Sequence, residues 1–294
     1  MHIPVLLHEV IDLLDPKEGE TFIDATVNGG GHAQAIAQRV GSVGRVIGID
    51  WDCDLIRESG MKNRELGITN MDLACDSYVN IQKIADERGI KKVDGILFDF
   101  GFSSHHPERS GRGFSFLRDE PLDMRYNPDE NTLNAEGIVN AWPQERIADM
   151  LRRDGEERWA RRIARGIIEA RDRKKIVSSK ELADIVGASI PRRASKRIHP
   201  ATRTFQALRI AVNQELESLE NALPLACALL ASGGRMAAIA FHSLEDRKVN
   251  IFLREQEKRG ILRLTAKKPI RASREEISAN PRSRSARLRG AIKI

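Results

Sequence analysis

The sequence is poor in several features that would assign it at once to a class of protein. It contains three cysteines in 294 residues, and these lie far apart and form no C-x-x-C pair. Neither a disulfide framework nor a zinc site is therefore expected of Cys53, Cys75 and Cys227. Reduced thiols in a cytoplasmic protein are the simplest interpretation.

Long apolar runs and targeting signals are absent as well. No run of 18 apolar residues is present, so no membrane-spanning helix is expected. Residues 1–8 include no basic stretch and no small-residue cleavage site, and we do not expect a signal peptide. Because 41% of the residues are hydrophobic, the chain can bury a sizeable core as one large domain or two. Its net charge of +6 is compatible with an RNA or DNA partner but does not demonstrate one.

A glycine-rich turn is the most informative stretch of the chain. Residues 21–25 form a short apolar run around Asp24, and Gly29, Gly30 and Gly31 follow it. A helical pattern of apolar residues begins directly after these glycines. A strand, a glycine turn and a helix open many nucleotide-binding α/β domains, because glycine lets a ligand approach the backbone closely. The alternative is a tight turn that happens to be rich in glycine.

An acidic residue at the end of the next predicted strand indicates the kind of ligand. Asp50 lies 19 residues beyond Gly31 (50 − 31), about the spacing at which a carboxylate accepts hydrogen bonds from ribose hydroxyls. The ligand is therefore expected to carry adenosine. The glycines do not fit the G-x-G-x-x-G fingerprint, and no second phosphate cradle follows. S-adenosylmethionine is accordingly favoured over NAD.

The order of the predicted elements indicates an α/β fold. Strands that alternate with helices form a mostly parallel sheet, and ligands bind beyond the carboxyl ends of its strands. Asp50 and Asp99 are expected at that edge, with Asp24 near it. The predicted strands are 20–25, 45–50, 68–74, 93–99, 235–241, 262–266 and 286–294, and the predicted helices are 5–14, 31–40, 52–66, 76–88, 204–230 and 244–259.

The segment between these two groups of elements has no strand pattern and is dense in Arg and Lys. We predict an inserted all-helical domain of residues 127–209, within a sheet domain formed by residues 1–126 and 210–294. Clustered cations would contact phosphates with a salt-sensitive affinity that does not depend on sequence. A solvated face is the alternative for any single arginine, whereas the cluster at 192–197 favours RNA. The predicted helices are 132–140, 145–153, 157–171 and 179–190.

A long polar loop precedes this insert and carries exposed-looking aromatic residues. Ordered loops of this length are usually functional. Phe114 and Phe116 could stack on a nucleobase. They could equally anchor the loop to the core, and the sequence leaves both possibilities open.

The residues after the fourth strand suggest chemistry on an amine. Residues 99–102 read Asp-Phe-Gly-Phe, with an acid and an aromatic where amino-methylating enzymes carry them. An exocyclic amine is a poor nucleophile because its lone pair is delocalised into the ring, and a carboxylate that accepts its N–H bonds makes the nitrogen more nucleophilic. Phe102 could stack on a flipped-out base. Asp99 could instead bind the amino acid end of the cofactor or have a purely structural role.

A second polar group follows the later strand and is expected at the same edge of the sheet. His242 could shuttle the proton that the amine loses. Ser243 is expected to cap the next helix, with Asp246 three residues on as in a capping box. A Ser–His hydrolase is not favoured, because the chain has no G-x-S-x-G elbow.

Several longer motifs occur together in this chain. They are PVLLHE at 4–9, NGGGH at 28–32, GFSF at 113–116, PLDMR at 121–125, HPATRTFQALR at 199–209, FHSLEDR at 241–247 and NPRSRS at 280–285. Through them the chain resembles, nearly end to end, the bacterial family of small-subunit ribosomal RNA cytosine-N4 methyltransferases (RsmH or MraW type). The resemblance implies a Rossmann-like class I S-adenosylmethionine-dependent methyltransferase fold with an inserted all-helical domain, thought to help recognise RNA. It also implies methyl transfer to N4 of a cytosine in the decoding region of 16S rRNA, within the small ribosomal subunit.

The resemblance also implies roles for individual residues. The glycine turn and His32 would contact the cofactor, Asp50 would hold its ribose, and Tyr78 would pack on its adenine. Asp99 would lie by the methionine or the target amine. With the reasoning from the residues, the candidate catalytic residues are Asp99, Phe102 and His242, and the candidate cofactor-binding residues are Asn28, Gly29, Gly30, Gly31, His32, Asp50, Tyr78, Asp99 and His106.

Two departures from the family pattern are present. His106 stands where a glutamine that contacts the cofactor is expected. Because an imidazole titrates near neutral pH, we expect cofactor affinity to vary with pH, and a flat profile from about pH 5.5 to 8 would contradict this. Val27 and Asn28 replace the usual Phe-Gly and the residue after it, which affects the local geometry of the turn.

Other functions compete with this one. The same chemistry could act on another RNA or on DNA, or the chain could be a non-catalytic RNA-binding or ribosome-assembly protein. The intact Asp50, Asp99 and glycine turn argue against a non-catalytic role. An NAD-dependent oxidoreductase is disfavoured because the dinucleotide fingerprint is missing. A homodimer is possible, and neither a metal ion nor a membrane partner is expected.

Overall fold

The computed structural model describes residues 3–101, 105–191 and 199–294. The chain forms two compact units. The first, the sheet unit, comprises Met1–Ser103 and Leu216–Ile294, and the second, the helical unit, comprises Ser104–Glu215. Within the described ranges, no helix has the length and apolar character needed to cross a membrane.

The sheet unit is built on one seven-stranded sheet. Its strands are β1 (Thr21–Asp24), β2 (Arg45–Asp50), β3 (Met71–Cys75), β4 (Val93–Asp99), β5 (Leu230–Ala240), β6 (Leu262–Leu264) and β7 (Arg287–Lys293). The strand order is β3-β2-β1-β4-β5-β7-β6. The five strands from β3 to β5 are parallel, while β7 runs antiparallel to both of its neighbours. The prediction of a mostly parallel sheet is therefore confirmed.

The helices follow in chain order. They are α1 (Leu7–Leu14), α2 (Gly31–Val40), α3 (Cys53–Glu65), α4 (Ile81–Glu87), α5 (His105–Glu108), α6 (Ala135–Ala141), α7 (Gln144–Gly155), α8 (Ala160–Arg171), α9 (Ser179–Ser189), α10 (Thr202–Asn213), α11 (Glu215–Leu229), α12 (Ser243–Lys258) and α13 (Arg274–Ala279).

Helices cover both faces of the sheet. Because successive side chains of a strand point to opposite faces, Phe22 packs with α1 and α2 on one face, while Ile23 packs with α4, α11 and α12 on the other. The middle strands are consequently buried on both sides and read as continuous apolar runs, which is typical of parallel sheets. This three-layer arrangement fixes the carboxyl ends of β1, β2 and β4 side by side.

Two features of the helices differ from the sequence prediction. The helix expected over 204–230 is two helices, because Gln214 between α10 and α11 has a left-handed backbone (φ 50°). The short helices α5 and α13 were not predicted, although α13 has a recognisable start. The side chain of Ser273 accepts a hydrogen bond from the backbone N–H of Glu276 at its start, so the Ser-x-x-Glu signature was present in the sequence.

The helical unit has its own core, formed mainly by α6 to α10. The described residues of this unit contain no strand, only an isolated bridge between Pro121 and Ser178. Phe114, Leu122 and Met124 are buried in the same core. The compact helical unit is wider than the predicted insert of residues 127–209, because the preceding loop packs with the helices that follow it. The predicted domain boundaries stay a prediction.

The two loop phenylalanines are anchors of this core. Phe114 stacks on Tyr126 with ring centroids 5.6 Å apart. Phe116 stacks on His199 at 4.4 Å and meets Phe205 edge to face at 5.4 Å. Of the two roles that the sequence left open, the structure supports anchoring.

The expectation that no disulfide forms is wrong. Cys53 and Cys75 are bonded, with their Cα atoms 5.1 Å apart, while Cys227 is a buried free thiol. The parallel pairing of β2 with β3 places Cys75 opposite Asp50, and Cys53 follows Asp50 by three residues. Sheet register, rather than spacing in the sequence, brings the two sulfurs together.

Candidate active site

The carboxyl ends of three neighbouring strands bring the predicted acids to one edge of the sheet. Asp24 ends β1, Asp50 ends β2 and Asp99 ends β4. In the register, Asp24 lies opposite Gly48 and Leu97, so Asp50 and Asp99 lie two residues further along. The predicted placement of all three acids at this edge is confirmed.

The glycine turn connects β1 to α2 and leaves the start of the helix open. Gly30 has a left-handed backbone (φ 79°), and its N–H donates to Val27 O at 2.7 Å. No side chain caps the first turn of α2. The first N–H groups of a helix carry a partial positive charge and are available to a ligand.

Asn28 links two of the acids. Its backbone N–H donates to Asp50 Oδ2 at 2.8 Å, and its side-chain amide donates to the carbonyl oxygen of Asp99 at 3.1 Å and of Thr26 at 3.3 Å. Its backbone is left-handed (φ 50°), a conformation that asparagine tolerates better than most residues. The side chain of Asn28 therefore links the ends of β1 and β4, while its backbone N–H makes the connection to β2.

Asp50 is held by the backbone and keeps capacity for a ligand. Oδ1 accepts from the N–H of Asp52 at 2.9 Å, and Oδ2 accepts from Asn28. Burial raises the pKa of Asp50 to about 6. The backbone N–H of Trp51 also donates a hydrogen bond, which lowers this pKa. A carboxylate offers about four lone-pair positions, so capacity remains for a hydroxyl donor such as that of a ribose.

Asp99 is the most unusual carboxyl group of this edge. It is 5% exposed, and Oδ1 has no hydrogen-bond partner among the described residues. Its backbone N–H donates to Thr26 Oγ1 at 2.6 Å. Burial, together with the negative charge of Glu245, raises the pKa of Asp99 to about 8. A buried oxygen without a partner calls for an explanation, and a ligand that donates a hydrogen bond supplies one.

Asp24 has a similar environment. Oδ1 accepts from the N–H of Thr26 at 3.1 Å, while Oδ2 is buried without a partner among the described residues. Burial, and secondarily the charges of Asp99 and Asp50, raise the pKa of Asp24 well above its usual range. Three carboxyl groups at one edge suit a ligand that carries positive charge, as the sulfonium and ammonium groups of S-adenosylmethionine do.

His32 connects the glycine turn to Asp99. Nε2 lies 2.9 Å from Val5 O, and Nδ1 lies 3.5 Å from Asp99 Oδ2. A carbonyl oxygen only accepts, so the hydrogen-bond network assigns the proton to Nε2. Nδ1 then faces Asp99 with its lone pair.

Tyr78 lies in a short turn that follows β3. Its ring meets Phe98 edge to face at 5.9 Å and Phe100 at 6.1 Å. It is only partly buried, beyond the end of the strand that pairs with β2. The expected contact with adenine stays a prediction.

The start of α12 differs from the prediction. His242, not Ser243, caps this helix, since its side chain accepts from the N–H of Glu245. Glu245 Oε2 in turn accepts from the N–H of Phe241 at 2.8 Å and of His242 at 3.3 Å. Asp246 takes no part in the cap and pairs with Arg287 and Arg289 of β7.

Glu245 is a residue of the site that the sequence reasoning missed. It is 2% exposed and its charge acts on Asp99. The capping box that indicates Glu245 is present in the sequence, as a glutamate three residues after the N-cap. The predicted box, Ser243 with Asp246, lies one residue further along the chain than the observed one, His242 with Glu245. The role of His242 as a proton acceptor stays a prediction.

The remaining predicted site residues belong to the helical unit or lie outside the described residues. His106 belongs to the helical unit, where it is 3% exposed and contacts the rings of Phe114 at 5.0 Å and Tyr126 at 4.8 Å. Its cofactor contact stays a prediction. Phe102 and the basic cluster at 192–197 lie outside the described residues.

The raised pKa values predict how the stability of the ligand-free protein depends on pH. The folded protein holds a proton on Asp99 up to about pH 8, whereas the unfolded chain releases it near the ordinary value of 3.8. Since the folded state binds more protons at Asp99 between these values, the contribution of Asp99 to stability is fully present below about pH 4, and it falls and is lost as pH rises towards 8. We expect Asp99→Asn to flatten this fall, measured as Tm at several pH values from about 5 to 8.5.

The matched control removes a carboxylate that faces solvent. Asp119 is exposed in the helical unit, and Asp119→Asn should leave the pH dependence of Tm as in the unchanged protein. A Tm profile that is equally steep with and without the Asp99 carboxyl would contradict the assignment.

The fold and the site together define the class of protein. The chain has the features of class I S-adenosylmethionine-dependent methyltransferases. These are a parallel sheet with one antiparallel strand, β7, a glycine turn after β1, and acids at the ends of β2 and β4. The buried carboxyl oxygens at this edge fit such a cofactor. The crystal structure of an rRNA-methylase candidate from Clostridium thermocellum has the same fold, with a TM-score of 0.51 and 17% identity over the full length of both chains.

Sequence comparison gives the particular family. The model of the MraW methylase family matches residues 1–294. A protein of Heliobacterium modesticaldum named ribosomal RNA small subunit methyltransferase H is 46% identical over 310 residues, covering 100% of this chain and 98% of its own. A protein of Nitrosococcus oceani with the same name is 45% identical, covering 99% and 96%. The chain belongs to the MraW methylase family.

Proposed function

We propose that this enzyme transfers a methyl group from S-adenosylmethionine to N4 of a cytosine in the decoding region of 16S rRNA, within the cytoplasmic small ribosomal subunit. The observation that carries the proposal is the buried Asp99 carboxyl at the end of β4, with one oxygen available to a donor. Its position beside the glycine turn and Asp50 gives it access to both cofactor and amine. The relatives' name, which specifies ribosomal RNA of the small subunit, supports the choice of substrate.

The cofactor would be held by the ends of β1 and β2 and by the residues after β3. The N–H groups at the start of α2 would donate to its acceptor atoms, and the Asp50 carboxylate would accept from its ribose hydroxyls. Tyr78 would pack on the adenine. When bound, S-adenosylmethionine supplies a methyl group on a positively charged sulfur.

Asp99 would prepare the amine for attack. Positive charge from a bound cofactor favours the ionised form of a nearby carboxyl and opposes the raised pKa of Asp99. The carboxylate then accepts an N–H bond from the cytosine amine and orients the nitrogen lone pair. As the nitrogen–carbon bond forms, the carbon–sulfur bond breaks and the amine releases one proton, for which His242 at the same edge is the proposed acceptor.

The exposed arginines of α8 support RNA binding by the helical unit. Arg161, Arg162 and Arg165, with Arg158 before the helix, recur at spacings of three and four and form one exposed row. None of these four forms an ion pair with a carboxylate among the described residues, and Arg158 and Arg162 lie over the ring of Trp159. Unpaired cations on one face are suited to phosphates.

Neighbouring cations pair with acidic residues, which agrees with a solvated face, the alternative for any single arginine. Arg152 pairs with Asp149 at 2.8 Å, and Arg153 pairs with Asp154 at 2.7 Å. Lys174 and Lys175 pair with acids of the same unit. Among the described cations of this segment, we therefore assign phosphate contact to the α8 row, and the cluster at 192–197, which lies outside the described residues, stays a prediction.

Removing one cation of this row should weaken RNA binding in a salt-dependent way. We expect Arg161→Ala and Arg165→Ala each to reduce the slope of log K against log salt concentration by about 0.7 to 0.9, because each phosphate contact releases counterions. Binding to rRNA fragments at several salt concentrations measures this slope. Arg152→Ala is the matched control, since Asp149 already neutralises that guanidinium. Equal slopes for all three variants would contradict the assignment.

The function is tested by transfer of labelled methyl to small subunits that lack the modification, followed by mass mapping of the nucleoside. We expect label on N4 of a single cytosine. Label on another nucleoside or another RNA would keep the enzyme class and overturn the substrate. No transfer to any RNA, despite cofactor binding, would favour the non-catalytic RNA-binding role.

A further inference from the structure

The N-terminal segment, residues 3–6, lies directly on the glycine turn. A Cβ atom added at Gly31 would be 2.4 Å from Pro4 Cγ, so the turn can accept this segment only with glycine there. The next residue, Val5, provides the carbonyl oxygen that lies 2.9 Å from His32 Nε2. The backbone of this segment therefore forms one wall of the active site.

The segment is held from the other end of the chain. Glu276 Oε1 accepts from the N–H of Leu6 at 2.8 Å, across 270 residues of sequence. Asn280 Nδ2 donates to Ile3 O at 3.2 Å. Glu276 lies on α13 and Asn280 follows that helix directly. Residues of one short element therefore form hydrogen bonds with the segment on both sides of Val5.

The backbone conformation of Leu6 indicates that these hydrogen bonds constrain the segment. Its φ of 55° and ψ of 35° are left-handed, and its side chain is fully buried. Such a conformation is uncommon for leucine and costs about 1 to 3 kcal/mol, so it persists only where the surroundings impose it. The buried side chain and the hydrogen bond to Glu276 are two such constraints, and the bond acts on the peptide group that carries Val5 O.

The orientation of His32 depends on that peptide group. Val5 O fixes the proton on Nε2 and so leaves Nδ1 to face Asp99 Oδ2 at 3.5 Å. Both side chains are about 6% exposed, so water cannot readily replace either contact. A displaced Val5 would free the ring to rotate or to change its tautomer.

We propose that Glu276 and Asn280 are positioning residues of the methyl-transfer site, which hold residues 3–6 so that Val5 fixes His32 against Asp99. The effect on catalysis rests on the proposed role of Asp99. The effect on the tautomer and orientation of His32 does not depend on the role of Asp99, and it can be measured without RNA.

The first measurement follows the ring nitrogens of His32 by NMR in the ligand-free protein. In the unchanged protein we expect the Nε2–H tautomer. Glu276→Ala should shift the ring signals towards a mixture of tautomers, whereas Glu276→Gln should preserve them, because a glutamine oxygen still accepts from Leu6 N–H. Glu275→Ala, the same change at the exposed neighbouring position, is the matched control and should leave the signals unchanged.

The second measurement is methyl transfer. We expect Glu276→Ala to lower kcat/KM about tenfold, with Glu276→Gln and Glu275→Ala within about twofold of the unchanged enzyme. In a His32→Ala background, Glu276→Ala should add no further loss, since residues that act through one another are not additive.

Three results would overturn the proposal. One is a His32 tautomer that is unchanged in Glu276→Ala protein. Another is a loss of activity in Glu276→Ala that persists in full in the His32→Ala background. The third is a lower Tm with unchanged His32 signals and unchanged kcat/KM, which would leave Glu276 with a structural role only. A shifted tautomer without any methyl transfer in the unchanged enzyme would instead sustain the positioning role and overturn the proposed function.

Discussion

Replacement of Asp99 by alanine is expected to lower methyl transfer to small ribosomal subunits about 10²- to 10³-fold. The variant loses the buried carboxyl that would accept the amine N–H and orient its lone pair. Cofactor affinity should fall much less, because the Asp50 carboxylate and the start of α2 remain in place. Single-turnover transfer and equilibrium binding of the cofactor separate these two effects.

Two further variants make this experiment specific. Asp99→Asn keeps a carbonyl acceptor and loses the charge, so its rate should lie between those of alanine and aspartate. Asp94 is the matched control, because it lies near the opposite end of the same strand, away from the site. Its Oδ2 accepts a hydrogen bond from the N–H of Thr21. Asp94→Ala should lower Tm slightly without changing the rate. If the Asp99 and Asp94 variants lost activity equally, the role of Asp99 would be structural.

Replacement of Asp50 by alanine is expected to weaken cofactor binding about 100-fold. Hydrogen bonding from the ribose hydroxyls to a carboxylate is equivalent to about 3 kcal/mol. The variant also loses the acceptor of Asn28 N–H, which loosens the glycine turn. Isothermal titration with the cofactor or its demethylated product measures the change.

The pH dependence of binding provides a second readout for Asp50. Its pKa is raised to about 6 by burial, so in the unliganded protein the carboxylate becomes protonated as pH falls through that value. Affinity should therefore fall below about pH 6, and this fall should be absent from Asp50→Ala. Asp54→Ala, at an exposed carboxylate of the next helix, is the control. A variant that binds the cofactor as tightly as the unchanged protein would remove Asp50 from the site.

Much of the sheet unit could be predicted from the sequence, because its signals are local. The strands β2 and β4 were predicted with their exact bounds, since each is an apolar run that ends in an acid. The carboxyl edge followed from the alternation of strands and helices. The predicted strand ends were sufficient to place Asp50 and Asp99 at this edge, with Asp24 near it.

Features that depend on register or on packing could not be predicted in this way. Cys53 and Cys75 meet only because β2 and β3 pair in one particular register. The boundary at Ser104 depends on Phe114 packing in the core of the helical unit. The sequence shows an aromatic residue in a polar loop but not the core in which its ring is buried. Gln214 breaks a continuous apolar pattern with no glycine or proline to mark the break.

The site shows the same division. The residues that would face a ligand were identified through motifs, whereas the residues that position them were not. Glu276 acts on His32 through the backbone of Val5, across 270 residues, and no spacing rule connects them. Glu245 was recognised only as part of a motif, because its role depends on the side-chain geometry at the start of α12.

The insertion of the helical unit between β4 and β5 also has a consequence for the order in which the chain assembles. β5 is a central strand, and its pairing of Leu230 with Val93 must close a loop of 137 residues (230 − 93). During synthesis, β1 to β4 can pair long before β5 emerges, which leaves the apolar β4 as an open edge. Contacts within the helices of the insert are local and form quickly, so its folding can shorten the effective loop before β5 arrives. The stage between these events is the one at which the nascent chain is most exposed to aggregation.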